Sequence, residues 1–244
     1  MCGICGIFNY GSHEPVNLEQ LQAMNDTLRH RGPNDEGRYT DGDLGLAMRR
    51  LSIIDIGGGK QPIHNEDRTI WIVCNGEIFN YPELKRNLAS KGHTFYTQSD
   101  TETIVHLYEE HGDDCVNYLR GMFAFALWDG PSRSLLLARD RVGIKPLFYC
   151  DTGKGELLFS SEPKALLASP KVSRDMDLQG LDAYFAYGYI PAPLSIYRSI
   201  RKLPAGHVMK IRRSGSSIRK YWDLHFRPAH GKPESYFEGK FEEI

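Results

Sequence analysis

The beginning of the chain shows two different spacings of apolar residues. Gly3–Phe8 is a compact apolar run, and it predicts a buried strand close to the N-terminus. Asn17 then stands at the position of a helix cap, with Gln20 at the capping-box position and apolar residues at helical spacing behind it. The first thirty residues therefore predict a strand followed by a helix.

Further strands and helices are predicted by the same two spacings up to residue 112. Strands are predicted at 44–56 and 70–74, and helices are predicted to begin at 80–83 and, with a second capping box, at 99–102. Arg49 and Arg50 interrupt the first of these apolar stretches, and Gly92 and Gly112 are suitable helix ends. Helices and strands thus alternate through the first half.

From residue 122 the pattern changes to short apolar runs separated by turn residues. Strands are predicted at 122–128, 134–138, 146–150 and 156–159, with two weaker ones near 207–211 and 218–222. Between them, a helix over 176–187 places Leu178, Leu181, Tyr184 and Phe185 on one side. The order of elements indicates an α+β domain whose sheets are covered by helices, without defining a topology.

Composition and charge exclude several classes of protein. Thirty basic residues stand against thirty-one acidic ones, whereas proteins that bind nucleic acid or membrane surfaces usually carry a basic excess. The longest apolar run, 122–128, is far shorter than the roughly 20 residues of a membrane helix, and no signal segment opens the chain. Five scattered cysteines suit a reducing compartment, so we expect a cytoplasmic protein without nucleic-acid or membrane partners.

The most informative residue is Cys2, which follows the initiator methionine directly. Removal of Met1 would leave a thiol and a free α-amine on the same residue. An α-amine with a pKa of about 7.7–8.0 is partly neutral near pH 7 and can accept the thiol proton. A free thiol with a pKa of about 8.5 is only slightly ionised there, so an internal base would activate it. Cys2 is therefore a candidate nucleophile that carries its own base.

The spacing of Cys2 and Cys5 allows a different interpretation, a C-x-x-C site for a metal or for disulfide exchange. No second C-x-x-C is present, and no pair of histidines stands at ligand spacing. If Gly3–Phe8 is a strand, the two thiols also point to opposite faces. The sequence accordingly predicts no metal site.

Three further segments offer groups that an amide substrate would need. Asn75 and Gly76 could donate hydrogen bonds to a developing oxyanion, although Asn-Gly is also the commonest hairpin turn. Arg50 could bind a carboxylate in two parallel hydrogen bonds, or be a surface arginine. Asp100 could bind an ammonium group, or serve as the acid of a helix N-terminus.

Taken together and in order, these segments resemble a known family. The motifs are Met-Cys-Gly-Ile-Cys-Gly-Ile-Phe at 1–8, Arg-His-Arg-Gly-Pro at 29–33, Arg-Leu-Ser-Ile-Ile-Asp at 50–55, Asn-Gly-Glu-Ile-Phe-Asn at 75–80, Ser-Asp-Thr-Glu at 99–102, Gly-Met-Phe-Ala-Phe-Ala-Leu-Trp-Asp at 121–129, Ala-Arg-Asp-Arg-Val-Gly-Ile-Lys-Pro-Leu-Phe-Tyr at 138–149 and Ser-Ser-Glu at 160–162. The chain resembles the glutaminase domain of glutamine-hydrolysing asparagine synthetases, which are class II glutamine amidotransferases of the N-terminal-nucleophile hydrolase superfamily. The resemblance covers residues 2 to about 213.

The resemblance implies a fold and a role for each site residue. The fold would be a four-layer αββα sandwich with two stacked antiparallel sheets. Cys2 would attack the side-chain amide of L-glutamine to give a glutamyl thioester and ammonia, and water would then release glutamate. Asn75 and the Gly76 N–H match the family's oxyanion hole. The α-carboxylate of glutamine would be bound by Arg50, and its α-ammonium by Glu77, Asp100 and the carbonyl of Ile53.

The same resemblance implies a larger parent protein. Residues 1–213 would form the glutaminase domain, and 214–244 a linker toward a synthetase domain that uses the ammonia to make asparagine from aspartate. The pyrophosphate-binding Ser-Gly-Gly-x-Asp-Ser loop of such a domain is missing from this sequence, so ATP and Mg²⁺ are expected only there, with no cofactor in this chain. Small departures at Asn34 and Phe79 do not touch the implied chemistry. A homodimer is compatible with this interpretation.

Two alternatives remain at this level. Another class II amidotransferase with a different ammonia acceptor would carry a similar domain. A catalytically silent interaction domain of the same fold is the second, and a methionine retained in front of Cys2 would favour it.

Overall fold

The computed structural model describes residues 1–51, 58–226 and 231–242. Its strands are, in chain order, β1 Gly3–Phe8, β2 Asp35–Asp41, β3 Leu44–Arg50, β4 Ile63–His64, β5 Ile70–Ile78, β6 Gly121–Asp129, β7 Ser134–Arg139, β8 Phe148–Asp151, β9 Leu157–Ser160, β10 Arg201–Lys202, β11 His207–Arg212 and β12 Gly215–Lys220. Its helices are α1 Leu18–Asp26, α2 Tyr81–Ser90, α3 Glu102–His111, a 3-10 helix at Gly112–Tyr118, α4 Pro163–Leu166, α5 Leu178–Tyr187 and α6 Glu234–Glu242.

The strands form two antiparallel sheets. One has the order β10-β8-β9-β1-β3-β2, and the other has the order β12-β11-β7-β6-β5-β4. In the first sheet β1 lies between β9 and β3, with Gly3 opposite Arg49. In the second sheet β5 lies between β4 and β6, with Asn75 opposite Ala124. The strand that follows Cys2 and the strand that carries Asn75 are therefore interior strands of opposite sheets.

Side chains that alternate along these strands form a core between the two sheets. Ile4 and Phe8 of β1 point into it, as do Val73 of β5 and Trp128 of β6. These residues are almost completely buried, and burying one large apolar side chain contributes about 1.5–3 kcal/mol. This shared core holds β1 and β5 face to face.

The outer face of each sheet is covered by helices. On the first sheet, Cys5 and Ile7 of β1 pack against Leu21 and Met24 of α1, together with α4. On the second sheet, the outward side chains of β5 and β6 pack under α2 and α3. Helix, sheet, sheet and helix thus follow one another, and the predicted four-layer αββα sandwich is confirmed.

Two predicted helices are present in the structure. α1 begins as predicted, because the side chain of Asn17 accepts a hydrogen bond from the backbone N–H of Gln20 at 3.0 Å. α5 also forms, and most of its predicted apolar side is exposed: Leu178 is 67% exposed, Tyr184 51% and Phe185 78%. The predicted helix is therefore confirmed, and its apolar side is largely exposed within the described part of the chain.

The capping box predicted at 99–102 is wrong. α3 begins only at Glu102, and its cap residue makes no side-chain hydrogen bond to the helix. Instead, the buried carboxylate of Glu102 accepts hydrogen bonds from the backbone N–H groups of Tyr96 and Thr97, both at 2.8 Å. Glu102 therefore fixes the loop that precedes the helix.

The second sheet continues past the predicted domain boundary. β12 lies beyond residue 213 and pairs with β11 along its whole length. A domain end at 213 and a linker over 214–244 stay predictions. Within the three described ranges, none of the helices has the length and apolar character needed to span a bilayer.

Candidate active site

One pocket collects the residues that the sequence singles out. Its walls include Cys2, Arg50, Asn75, Gly76, Glu77 and Asp100. They come from the start of β1, the end of β3, the C-terminal half of β5 and the loop before α3. Ile53, whose carbonyl is the remaining predicted contact, lies outside the described residues. The pocket therefore opens where the two sheets face each other.

Cys2 is the accessible thiol of this chain. Its side chain is half-buried, whereas the other four cysteines, all within the described ranges, are buried. The Sγ of Cys2 lies 3.4 Å from the backbone nitrogen of Leu51 and 3.6 Å from its carbonyl oxygen. In front of it, Met1 is 57% exposed at the pocket wall. The sulfur is thus oriented by the end of β3 and open to a solute.

The second thiol of the C-x-x-C spacing is not available to the same pocket. Cys5 is fully buried among outer-face residues, while Cys2 packs against the core between the sheets. Burial also raises the pKa of the Cys5 thiol far above its usual range. The two sulfurs therefore do not form a joint metal or redox site, as the strand alternation predicts.

The basic segment at 29–33 positions the nucleophile. The Nε of Arg31 donates a hydrogen bond to the backbone carbonyl of Cys2 at 2.9 Å, and its Nη1 donates to Glu162 at 2.8 Å. Burial opposes ionisation of Glu162, but hydrogen bonds from Arg31, His30 and Lys164 lower its pKa to about 2. Arg31 thus connects the backbone of Cys2, just before β1, to its ion pair with Glu162.

Arg50 is the last residue of β3 and is buried beside Cys2, not a surface arginine. The 29–33 segment packs tightly against the end of β3, since a Cβ on Gly32 would lie 2.3 Å from the carbonyl of Arg49. Only glycine therefore allows the loop to cover the end of β3. A buried guanidinium in a pocket wall suits two parallel hydrogen bonds to a carboxylate.

The hairpin alternative for Asn75 and Gly76 is wrong, because both residues lie inside β5 and pair with β6. A Cβ on Gly76 would lie 2.4 Å from the carbonyl oxygen of Met122, so the close packing of the strands requires glycine there. Asn75 is 1% exposed, and its Nδ2 has no hydrogen-bond partner within the described ranges. Leaving a buried donor unpaired costs about 1–3 kcal/mol, so this amide is suited to a ligand.

Asp100 and Glu77 give part of the pocket wall an acidic character. Asp100 is 5% exposed, and its Oδ2 accepts a hydrogen bond from the backbone N–H of Ile78 at 2.7 Å. Burial raises the pKa of Asp100, and the nearby charge of Glu77 raises it further. A cationic group placed between these two carboxylates would remove that electrostatic cost.

Lys145 and Gln61 also line the pocket and are not among the site residues that the sequence predicts. Lys145 is buried in the pocket wall, and Gln61 holds β5 through both atoms of its amide: Nε2 donates to the carbonyl of Cys74 at 3.2 Å, and Oε1 accepts from the N–H of Cys74 at 2.6 Å. Lys145 lies within the motif at 138–149, where its charge among apolar neighbours was the available signal. Gln61 carries no such signal, because its role depends on a contact between separate segments.

The arrangement can support acyl transfer from an amide. A thiol faces a pocket that contains a buried guanidinium, two carboxylates and an amide donor without a partner among the residues that the structure describes. Such a pocket combines a nucleophile, an oxyanion donor and binding groups for both charges of an amino acid.

Comparisons with known proteins agree with this chemistry. A family model described as a glutamine amidotransferase domain matches residues 1–222. Asparagine synthetase (glutamine-hydrolyzing) 1 of Bacillus subtilis (strain 168) is 38% identical over 231 residues, which are 93% of this chain and 36% of the relative. Asparagine synthetase (glutamine-hydrolyzing) 3 of Arabidopsis thaliana is 44% identical over 166 residues, which are 68% of this chain and 28% of the relative. This chain spans about a third of the length of such relatives.

The fold is also similar to a solved structure. The glutamine phosphoribosylpyrophosphate amidotransferase of B. subtilis, complexed with ADP and GMP, superposes with a TM-score of 0.66 at 19% sequence identity. The match covers 91% of this chain and 50% of that one, and it supports the N-terminal-nucleophile hydrolase type of fold. Since the family model covers most of the sequence, this chain belongs to the glutamine amidotransferase domain family.

Proposed function

We propose that this domain hydrolyses L-glutamine to L-glutamate and ammonia at Cys2. One observation carries the proposal: an accessible cysteine sulfur shares a pocket with a buried amide donor that has no partner among the described residues. A nucleophile and an unpaired donor together are what the attack on a carbonyl needs. Asn75 supplies that donor.

The proposed reaction begins after removal of Met1, which exposes the α-amine of Cys2. The amine takes the thiol proton, and the sulfur forms a bond to the side-chain carbonyl carbon of glutamine. Asn75 and the N–H of Gly76 stabilise the oxyanion of the tetrahedral intermediate. The carbon–nitrogen bond then breaks, the α-ammonium returns its proton to the departing nitrogen, and ammonia leaves. Water, deprotonated by the same amine, hydrolyses the thioester.

The proposed substrate is free glutamine, because the pocket offers partners for both of its charged ends. Arg50 would bind the α-carboxylate in two parallel hydrogen bonds. Asp100 and Glu77 would bind the α-ammonium, and the raised pKa of Asp100 supports this role since a cation offsets the cost of its burial. The carbonyl of Ile53 stays part of the proposal as a further contact.

In the parent protein we propose that the ammonia serves ATP-dependent synthesis of asparagine from aspartate. The names of the similar synthetases support this role. ATP and Mg²⁺ would bind in the synthetase region, and the glutaminase reaction itself would use no cofactor. The free state of all five cysteines supports a reducing, cytoplasmic location. A homodimer of the parent remains an expectation.

The exposed face of α5 supports contact with that synthetase region. Leu178, Phe185 and Tyr187 on α5, and Tyr189 after it, are each more than 60% exposed. Scattered apolar residues are common on surfaces, but a contiguous patch marks an interface. The relatives have about twice as much additional chain as this domain, and we propose that it covers this face.

Steady-state assays of ammonia release test the proposed activity. The protein is compared with Cys2→Ser, and Cys115→Ala serves as a matched control because that thiol is buried under the helices, away from the pocket. We expect Cys2→Ser to lose at least about 1,000-fold in kcat/KM and the control to keep activity per folded molecule. Glutamine hydrolysis by Cys2→Ser at the unaltered rate would refute the proposal.

A further inference from the structure

Four side chains that commonly bind metals converge away from the glutamine pocket. Glu66 follows β4, His93 follows α2, and His106 and Glu109 lie on α3. One donor atom from each residue lies within 4.8 Å of all the others. His93 and His106 do not stand at ligand spacing along the sequence, but the fold brings these two imidazoles together from separate segments.

The spacing of the donor atoms is close to that of a zinc site. Nδ1 of His93 lies 3.7 Å from Glu66 Oε1 and 3.5 Å from Glu109 Oε2. Nδ1 of His106 lies 3.6 Å from Glu66 Oε2 and 2.8 Å from Glu109 Oε2. A tetrahedral zinc ion with bonds of about 2.0–2.1 Å places neighbouring ligand atoms about 3.3 Å apart. The four nitrogen–oxygen distances range from 2.8 to 3.7 Å and therefore include this ligand–ligand separation.

The outer nitrogen of each imidazole faces a further carboxylate. Nε2 of His93 lies 3.3 Å from Glu110 Oε1, and Nε2 of His106 lies 3.7 Å from Glu102 Oε1. When a metal takes the lone pair of Nδ1, the ring proton lies on Nε2, and these carboxylates are then placed to attract it. Each ring thus presents Nδ1 to the shared centre and Nε2 to a carboxylate outside it.

The two carboxylate ligands are also held from outside. Glu66 Oε1 accepts a hydrogen bond from the backbone N–H of Thr94 at 2.8 Å, and Glu109 Oε1 accepts from Nδ2 of Asn65 at 2.9 Å. In each case Oε2 stays directed at the imidazoles. The four ligands therefore have outer contacts that orient them independently of a bound ion.

We propose that Glu66, His93, His106 and Glu109 bind one zinc ion with a structural role. Imidazole and carboxylate donors suit zinc, and four protein ligands close its coordination shell. The divalent charge neutralises two carboxylates and allows the fully buried ring of His106 to remain uncharged. The ion clips the loop after α2 to α3, and that loop leads to Asp100 in the pocket.

Metal analysis tests the site directly. The untagged protein carries a Cys2→Ser substitution, so that the accessible thiol does not contribute, and is depleted with a chelator and titrated with zinc against a competing chelator. We expect about one zinc per chain, bound with a Kd below about 1 μM. His93→Gln and Glu109→Gln should weaken binding at least about 100-fold, whereas His111→Gln, on the same helix but stacked on Tyr118, should not.

Cobalt substitution gives a second readout that does not depend on the stability of the variants. The Cys2→Ser protein loaded with cobalt(II) should show the intense visible bands of a tetrahedral site without sulfur-to-metal charge transfer. No zinc binding up to about 10 μM, or binding that His93→Gln leaves unaltered while the protein stays folded, would overturn the proposal. Sulfur-to-metal charge-transfer bands in the cobalt spectrum would also overturn the proposal, because they would show a cysteine ligand.

A consequence for glutamine rests on the proposed function. Because the ion holds the loop that leads to Asp100, depletion of zinc from the otherwise unaltered protein should raise KM for glutamine about 3–10-fold and lower kcat less. Metal binding without a change in KM would leave a structural ion and remove its link to the pocket. Absence of binding would refute the site while leaving the glutaminase proposal untouched.

Discussion

Two buried polar regions of this domain differ in how completely they are satisfied. In the loop at 139–145, the fully buried Asp140 accepts backbone hydrogen bonds from Val142, Ile144 and Lys145 at 3.2, 2.9 and 2.9 Å. In the Cys2 pocket, the equally buried Asn75 has an amide nitrogen with no partner in the described part of the chain. Both regions belong to motifs that the family shares. Their contacts indicate different roles, because one region is satisfied by the protein itself and the other has a donor left for a ligand.

Arg139, next to Asp140, is also satisfied by the protein itself. Its three guanidinium nitrogens donate to the carbonyls of Lys145, Leu203 and Gly143 at 2.7–2.8 Å, so its donors bind the protein itself. A buried group with internal partners stabilises the fold, whereas a buried group without them lowers stability until a ligand arrives. The motif at 138–149 is therefore mainly a scaffold that holds Lys145 in the pocket wall, whereas the Cys2 pocket is suited to a ligand.

Among the tests of this contrast, the largest effect is expected from Asn75→Ala. Loss of an oxyanion donor should lower kcat about 100- to 1,000-fold, with a change of about 1 kcal/mol or less in the free energy of unfolding because Nδ2 has no partner among the described residues to lose. Ammonia release and urea unfolding measure the two quantities. Asn87→Ala, on the exposed side of α2, is the control. A kcat within twofold of the unaltered protein would contradict the assignment.

Asp140→Asn should show the opposite pattern, a larger effect on the free energy of unfolding than on kcat. The new amide group replaces one acceptor oxygen and faces a backbone N–H, so the free energy of unfolding should fall by about 2–3 kcal/mol. Urea unfolding of this variant is compared with Asp182→Asn on the exposed side of α5. Unaltered stability of Asp140→Asn would break the distinction between scaffold and pocket.

Asp100→Asn tests binding of the α-ammonium. KM for glutamine should rise about 10- to 100-fold, while kcat changes less, because the lost attraction acts on the bound substrate. Burial raises the pKa of Asp100, so its charge is lost as the pH falls through that raised value. KM of the unaltered protein should therefore increase toward acid pH, and the variant should lack this increase. Identical pH profiles of KM would exclude the role.

The smallest effect is expected from Glu162→Gln. The ordinary pKa of 4.5 is lowered to about 2 in the folded protein, so the carboxylate stabilises the fold above pH 4.5, and this contribution disappears as the pH falls toward 2. Because the side chain is partly exposed, we expect only about 1 kcal/mol. Unfolding followed between pH 2 and 5 should be less pH-dependent in the variant. A steeper dependence would contradict the sign.

Local patterns of the sequence predict much of this fold. The strand Gly3–Phe8, the cap at Asn17 and the strands from residue 121 onward, except the two-residue strand β10, follow from short-range spacing. The exposed face of α5 could not be predicted, because apolar spacing indicates a helix without saying whether its partner belongs to the same domain. The capping box at 99–102 fails because Glu102 has better partners in the preceding loop.

The site residues were predicted through their order in the chain, and contacts between distant segments explain what was missed. Asn75 lies inside a strand, since the tight packing of Gly76 on β6 overrides the turn preference of Asn-Gly. Gln61 and Lys145 join the pocket only through the packing of separate segments. His93 and His106 are thirteen positions apart, so no local sequence motif predicts that their rings lie close together.

Reaction of the purified protein with a diazoketone analogue of glutamine, followed by peptide mass spectrometry, tests the central claim most directly. The account predicts one adduct, on the sulfur of a peptide that begins at Cys2 with no methionine before it. An adduct on a different residue, or an active protein that still begins with Met1, would contradict it.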